Sequence, residues 1–190
     1  MSANRSWHIF RGLRAVAGDR RGAIALELAM AIPVIVLLVL SGIEITRFLL
    51  LNQKIERASA TMADLVSQSE SLSESALGDL FAAATHVVAP YDIVSDGRIL
   101  VSSLAGDEGG ATVLWQRAFG TASGGSTIGT EGGPASLPAG FILRTGEAAI
   151  VAEVFFDYRP AFFDRVLEPS VLRASSIHRP RFGALAGLAP

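Results

Sequence analysis

Few residues in this chain are placed to do chemistry, and the most suggestive is a single carboxylate in an apolar run. From Ala23 to Ile43 the sequence reads AIALELAMAIPVIVLLVLSGI, 21 residues whose only charge is Glu27. An ionisable side chain in such a setting is costly unless it sits at headgroup depth or meets a partner charge, so it reads as functional by default. A helix from Leu28 to Ile43 alone spans about 24 Å, which leaves the headgroup-depth reading of Glu27 open. Glu44 and Arg47 follow, three residues apart, as an exposed interfacial pair worth a few tenths of a kcal/mol. Ala25 and Ala29 form a small-x-x-x-small pair that would let another helix approach.

The remaining candidates favour bland readings. His8, His86 and His178 are widely separated, and His86 falls in an apolar helical pattern as a core residue. Asp107-Glu108 between glycines reads as a solvated turn, because two acids fall far short of a calcium cage. The chain holds no G-x-S-x-G, H-E-x-x-H, P-loop or dinucleotide fingerprint. With no cysteine there is no thiolate nucleophile, thiolate metal site or disulfide. The expectation is a non-enzyme with no catalytic residues, no metal site and no cofactor.

The elements that must carry these residues follow from charge and periodicity. Residues 1–22 hold five arginines against one aspartate, a net of +4, while the rest of the chain carries −6. A basic flank beside an apolar run is a topology signal rather than a nucleic-acid signal, and no nucleic-acid partner is expected. Twenty-one helical residues reach about 31 Å, enough to cross a bilayer core. Pro33 is tolerated within such a span as a kink. The positive-inside rule places residues 1–22 as a cytoplasmic basic leader, 23–43 as a single transmembrane helix, and everything beyond outside. A cleaved secretory signal is disfavoured, since Ala29-Met30-Ala31 precedes most of the apolar run and no A-x-A site follows directly after it.

Ile45, Phe48, Ile55, Ala58, Met62 and Leu65 recur at helical steps and extend the helix, amphipathic over residues 44–70, without an intervening Gly or Pro. Ser71 and Glu74 form a capping box for a second helix, with Leu77, Leu80, Phe81, Ala84 and Val87 on its apolar face and Pro90 ending it. Strands are expected at 98–104, 112–119, 148–158 and 171–177. In the third, Ile150, Ala152, Val154, Phe156 and Tyr158 share one face, with Glu153 and Asp157 on the other. That alternation predicts an antiparallel sheet with one covered side. The Gly/Ser/Pro-rich stretch within 119–140 predicts an exposed flexible loop. The predicted fold class is α+β, a long membrane-spanning helix continuing into a small exported domain at 71–190.

RRGAIALELAMAIPVIVLLVLSGIEITRFLLLNQKIERA resembles the TadE-like family of tight-adherence (Tad, or Flp-type) pilus assembly proteins, which are pseudopilin-like. The resemblance is carried by Arg20-Arg21-Gly22, Glu27, Pro33 and Gly42-Ile43-Glu44 before Arg47. It is extended by Trp115-Gln116, the run Ala152 to Pro160, and Arg179-Pro180-Arg181. It implies a component of a pilus assembly and secretion apparatus in a bacterial inner membrane, with a periplasmic C-terminal domain. Its implied partners are the membrane, pilins or pseudopilins, an inner-membrane platform and a prepilin peptidase. It further implies cleavage after Gly22, freeing an amine on Ala23 near Glu27. Leu28 departs from the pattern, since Flp-type processing motifs usually carry an aromatic residue there. Helix association would then rest on Glu27, Ala25, Ala29 and Pro33, and Glu44 and Arg47 would mark the membrane exit. The alternatives are a membrane-tethered extracytoplasmic binding module and, less favoured, an anchored hydrolase.

Overall fold

The computed structural model describes residues 20–164 and 168–189. Most of the leader expected at 1–22 lies outside these residues. Among the described residues two helices precede four strands: α1 (Arg20–Ser67), α2 (Glu74–Val88), β1 (Gly97–Asp107), β2 (Gly110–Gly120), β3 (Ala148–Tyr158) and β4 (Ser170–His178). The strands form one antiparallel sheet in the order β2-β1-β3-β4. The class is α+β, as the sequence predicts. The chain divides after Ile45 into two units.

In the first unit α1 is a helix through Pro33 with its apolar side chains facing outward. Ile24, Leu26, Met30 and Leu38 are each more than 60 % exposed. An 18-residue window reaches a mean hydropathy of 2.7 with none of it buried, so the helix is long and apolar enough to cross a membrane. A soluble helix could not leave this surface bare, because burying it is the main gain of folding in water.

In the second unit the continuation of α1 buries Leu51, Ile55, Ala58, Met62, Ala63 and Val66, each at most 1 % exposed. They share one core with Leu77, Phe81, Ala84 and Val88 of α2 and with Ile99, Val101, Trp115, Ile150, Ala152, Val154 and Phe156 of the sheet. This stripe differs from the predicted one. Leu65 is 38 % exposed and Ile45 60 % exposed, while Leu51, Ala63 and Val66 take part instead. Leu65 lies about 80° around the helix from Ile55, past the edge of the buried stripe. Phe48 remains half-buried, its ring edge-on to Tyr158 at 5.3 Å.

Two local expectations change. The N-cap of α2 is Ser73, in extended conformation, its hydroxyl accepting from the Ala76 amide at 3.2 Å, and not Ser71. Glu74 is already helical and directs its carboxylate to Arg117. His86 is exposed in the last turn, not in the core. It stands two residues from Ala84, so the rotation of about 100° per residue carries it off the buried face.

The sheet is covered on both faces, not one. Leu104, Val113, Ala149 and Val151 pack with Ile128 and Leu143 into a second core. The glycine-rich stretch expected to be a flexible exposed loop supplies that cover. It runs along the β2 edge, where Gly132 donates to the Val113 carbonyl (2.8 Å), Val113 to that of Gly133 (3.0 Å) and Ala135 to that of Ala111 (2.7 Å). Gly106 has a related role, since a Cβ there would collide with the Arg144 carbonyl oxygen. The C-terminal stretch closes the opposite face: the Leu185 carbonyl accepts from Ser103 Oγ and from Trp115 Nε1, both at 2.8 Å.

Candidate functional site

The residues singled out in the sequence lie along α1. Gly22, Ala23, Ala25, Glu27 and Ala29 are all exposed on the helix, and no atom approaches a Cβ built on Gly22 within 4 Å. Their arrangement follows from the helical rotation of about 100° per residue. Ala23 and Glu27 fall about 40° apart on one flank, as do Ala25 and Ala29 on another, with Pro33 one further step of four along. The two flanks are roughly 160° apart, so Glu27 does not share a face with Ala25, Ala29 and Pro33. One neighbouring helix cannot engage both at once. The helix offers a carboxylate on one side and a small-residue contact on the other.

Glu44, expected to be exposed, is buried at 3 % exposure. Arg47 is half-buried, and its carbonyl oxygen accepts the Tyr91 hydroxyl at 3.0 Å.

The domain holds a second polar centre that sequence reasoning missed. Glu153, assigned to the outer face of β3, is fully buried beneath the glycine-rich loop. One carboxylate oxygen accepts from Ser126 Oγ at 2.5 Å, the other from the Thr127 amide (3.0 Å) and Thr127 Oγ1 (2.8 Å). Arg173 of β4 completes the set with an ion pair at 3.1 Å and a bond to Thr127, its guanidinium over the Phe155 ring. The available signal was a glutamate among apolar residues of β3 together with a Ser-Thr pair in the facing loop. These contacts tie the loop and β4 to Glu153, so the cluster acts as a clamp.

Surface charges tie elements together in the same manner. Arg117 reaches Glu74 at 2.7 Å and Glu131 at 3.1 Å, and the hydrogen bond it donates to Glu74 holds its guanidinium above its ordinary pKa. Glu147 accepts from the Arg144 amide (2.9 Å) and pairs with Arg179 (2.9 Å); the backbone bond is the larger cause holding its carboxyl below the usual value. Among the described residues no group of three acidic or histidine side chains is arranged to hold a metal ion.

The described residues thus combine a helix long and apolar enough to span a membrane with a four-stranded α+β domain. Residues 22–64 match the model of a family described as TadE-like protein, the family the sequence resembles. The match covers both the exposed and the buried stretch of α1 and stops before α2. No curated protein and no solved structure matches the chain.

Proposed function

We propose that this chain is a pseudopilin-like component of a Tad (Flp-type) pilus assembly and secretion apparatus, acting through association of its membrane helix. It is a single-pass protein of the bacterial inner membrane. The basic leader at 1–22 stays in the cytoplasm, 23–43 spans the bilayer, and the domain lies on the periplasmic side. The observation that carries this reading is a coincidence in position. The TadE-like match falls on the one helix whose first half exposes apolar side chains all round.

The chemistry of α1 supports two contacts. A prepilin peptidase cutting after Gly22 leaves an ammonium on Ala23, one helical turn from the Glu27 carboxylate on the same flank, where the two can pair. Ala25, Ala29 and Pro33 on the other flank admit a second helix closely. Glu44 and Arg47 mark the membrane exit.

Pull-down of the full chain from detergent-solubilised membranes of its native host is expected to recover pilins or pseudopilins and the inner-membrane platform. Glu27→Ala should weaken that recovery, while Gly22→Val should leave the chain uncut by intact mass. Recovery of no pilus component, with the peptidase and platform present in the same membranes, contradicts the reading.

A further inference from the structure

The sheet has two edge strands, β2 and β4, and the chain treats them differently. At β2 the glycine-rich stretch lies along the outer edge, with Thr112 bridged to Pro134 and main-chain hydrogen bonds at Ala111 and Val113. At β4 the ladder stops. Its nine residues pair with β3 in one unbroken register, without the shift that β1 and β2 show at Ser103/Leu104. Among the described residues no hydrogen bond outside that ladder reaches the main chain of Ser170–His178.

An antiparallel edge strand turns alternate residues outward, so about four residues of β4 present main-chain donors and acceptors to solvent. The common protections of such an edge are missing. Ser170–His178 contains no proline and no bulge, and its one arginine, Arg173, turns onto the sheet face to meet Glu153. Leu172 and Ala174 point into the core shared with α1, whereas Ile177 packs on the second core. On that second side Arg173 and Ser175 line a cavity of about 440 Å³ with Thr127, Ile128, Leu137 and Pro138. A strand laid against β4 would set alternate side chains beside this cavity.

Arg173 narrows the choice of strand. Its Nη2 serves Glu153 and Thr127, and among the described residues its Nε and Nη1 make no hydrogen bond. A second copy pairing antiparallel through β4, centred anywhere from Leu172 to Ala174, would put two Arg173 side chains opposite or diagonally adjacent on one face. Like charges so placed destabilise a strand pair. A carboxylate in the same place gains a charge-assisted hydrogen bond.

We infer that β4 receives an extended acidic segment of another protein, which adds to the sheet as a fifth strand and sets a carboxylate on Arg173. Main-chain hydrogen bonds supply affinity in this mode, and alternate side chains supply specificity. The inference concerns the second unit alone and does not depend on α1 spanning a membrane.

The test uses the full chain in detergent and a labelled peptide of alternating threonine and valine with one central glutamate, followed by fluorescence anisotropy. Binding should slow amide exchange across Ser170–His178 and leave Gly110–Gly120 unchanged. Lysine in place of the glutamate should weaken binding about tenfold, the worth of one such bond. Arg173→Gln, shown to be folded by unchanged near-ultraviolet circular dichroism, should bind both peptides alike. Methylating every second peptide nitrogen keeps the charge and should abolish binding in one of the two phases. Binding that survives methylation in both phases overturns strand addition, as does failure of the glutamate peptide to bind. Equal binding of the lysine peptide to the unaltered chain overturns the acidic assignment. Protection of β2 in place of β4 overturns the site, and dimers that protect β4 without peptide overturn the choice of partner.

Discussion

The two halves of α1 are made of similar residues and obey opposite rules. From Ile24 to Val39 the large apolar side chains are about half to two-thirds exposed, whichever way they point. From Leu51 to Val66 the apolar side chains along one stripe are sealed from solvent, while Arg57 and Glu56 stay outside. One half is built for an apolar solvent and the other for an apolar neighbour. The difference is legible in where charge is tolerated. The first half admits one charge, at Glu27, while the second distributes charges around its buried stripe.

The sharpest break of this contrast is a charge placed in each half. Ile55→Asp puts a carboxylate at a site with no exposure and should cost the domain about 4 kcal/mol or more, seen as lost Trp115 fluorescence signature and a collapsed melting transition. Val36→Asp should leave that transition unchanged in detergent and instead impair insertion, at about 2.5–3.5 kcal/mol for a charge near mid-span. If Val36→Asp melts the domain as Ile55→Asp does, the two halves are not in different solvents.

Truncations sharpen the comparison at a smaller scale. Met62→Ala removes a side chain only 1 % exposed and should cost about 2–5 kcal/mol in denaturant titration. Leu65→Ala, three residues on but 38 % exposed, should stay within about 0.5 kcal/mol. Equal effects would mean the stripe is drawn wrongly.

The smallest expected effect is on pH. Glu147 and Asp92 are held below their ordinary values of 4.5 and 3.8 by hydrogen bonds, chiefly from the Arg144 amide and the Ser95 side chain respectively. Folded values below the unfolded ones mean stability that is present above those ordinary values and is lost as pH falls through the lowered ones. Melting temperature should therefore decline slightly below about pH 4.5, the ordinary carboxylate range. Glu147→Gln should flatten part of that decline. Asp92 is exposed and Glu147 only half-buried, so the change is small.

The long helix, the sheet and the strand positions could be read from sequence because each rests on a local period: an unbroken apolar run, steps of three and four, and alternation. The inward position of Glu153 could not, because alternation assigns a face but does not say whether that face is covered. The groups that meet its carboxylate, Ser126 and Thr127, come from a glycine-rich stretch with no period at all. The Arg173 clamp likewise joins residues that only strand pairing brings together. On α1, the sequence grouped Glu27 with Ala25, Ala29 and Pro33 as one association set. The helical rotation splits them, which spacing alone would have shown had the angles been followed.

The central claim is that α1 spans a membrane once with the domain on the far side from the arginines. Paired reporter fusions after Ala189 test it most directly, one an alkaline phosphatase active only outside the cytoplasm, the other a fluorescent protein that folds only inside. The account predicts an active phosphatase and a dark fluorescent fusion. A bright fluorescent fusion with inactive phosphatase contradicts it.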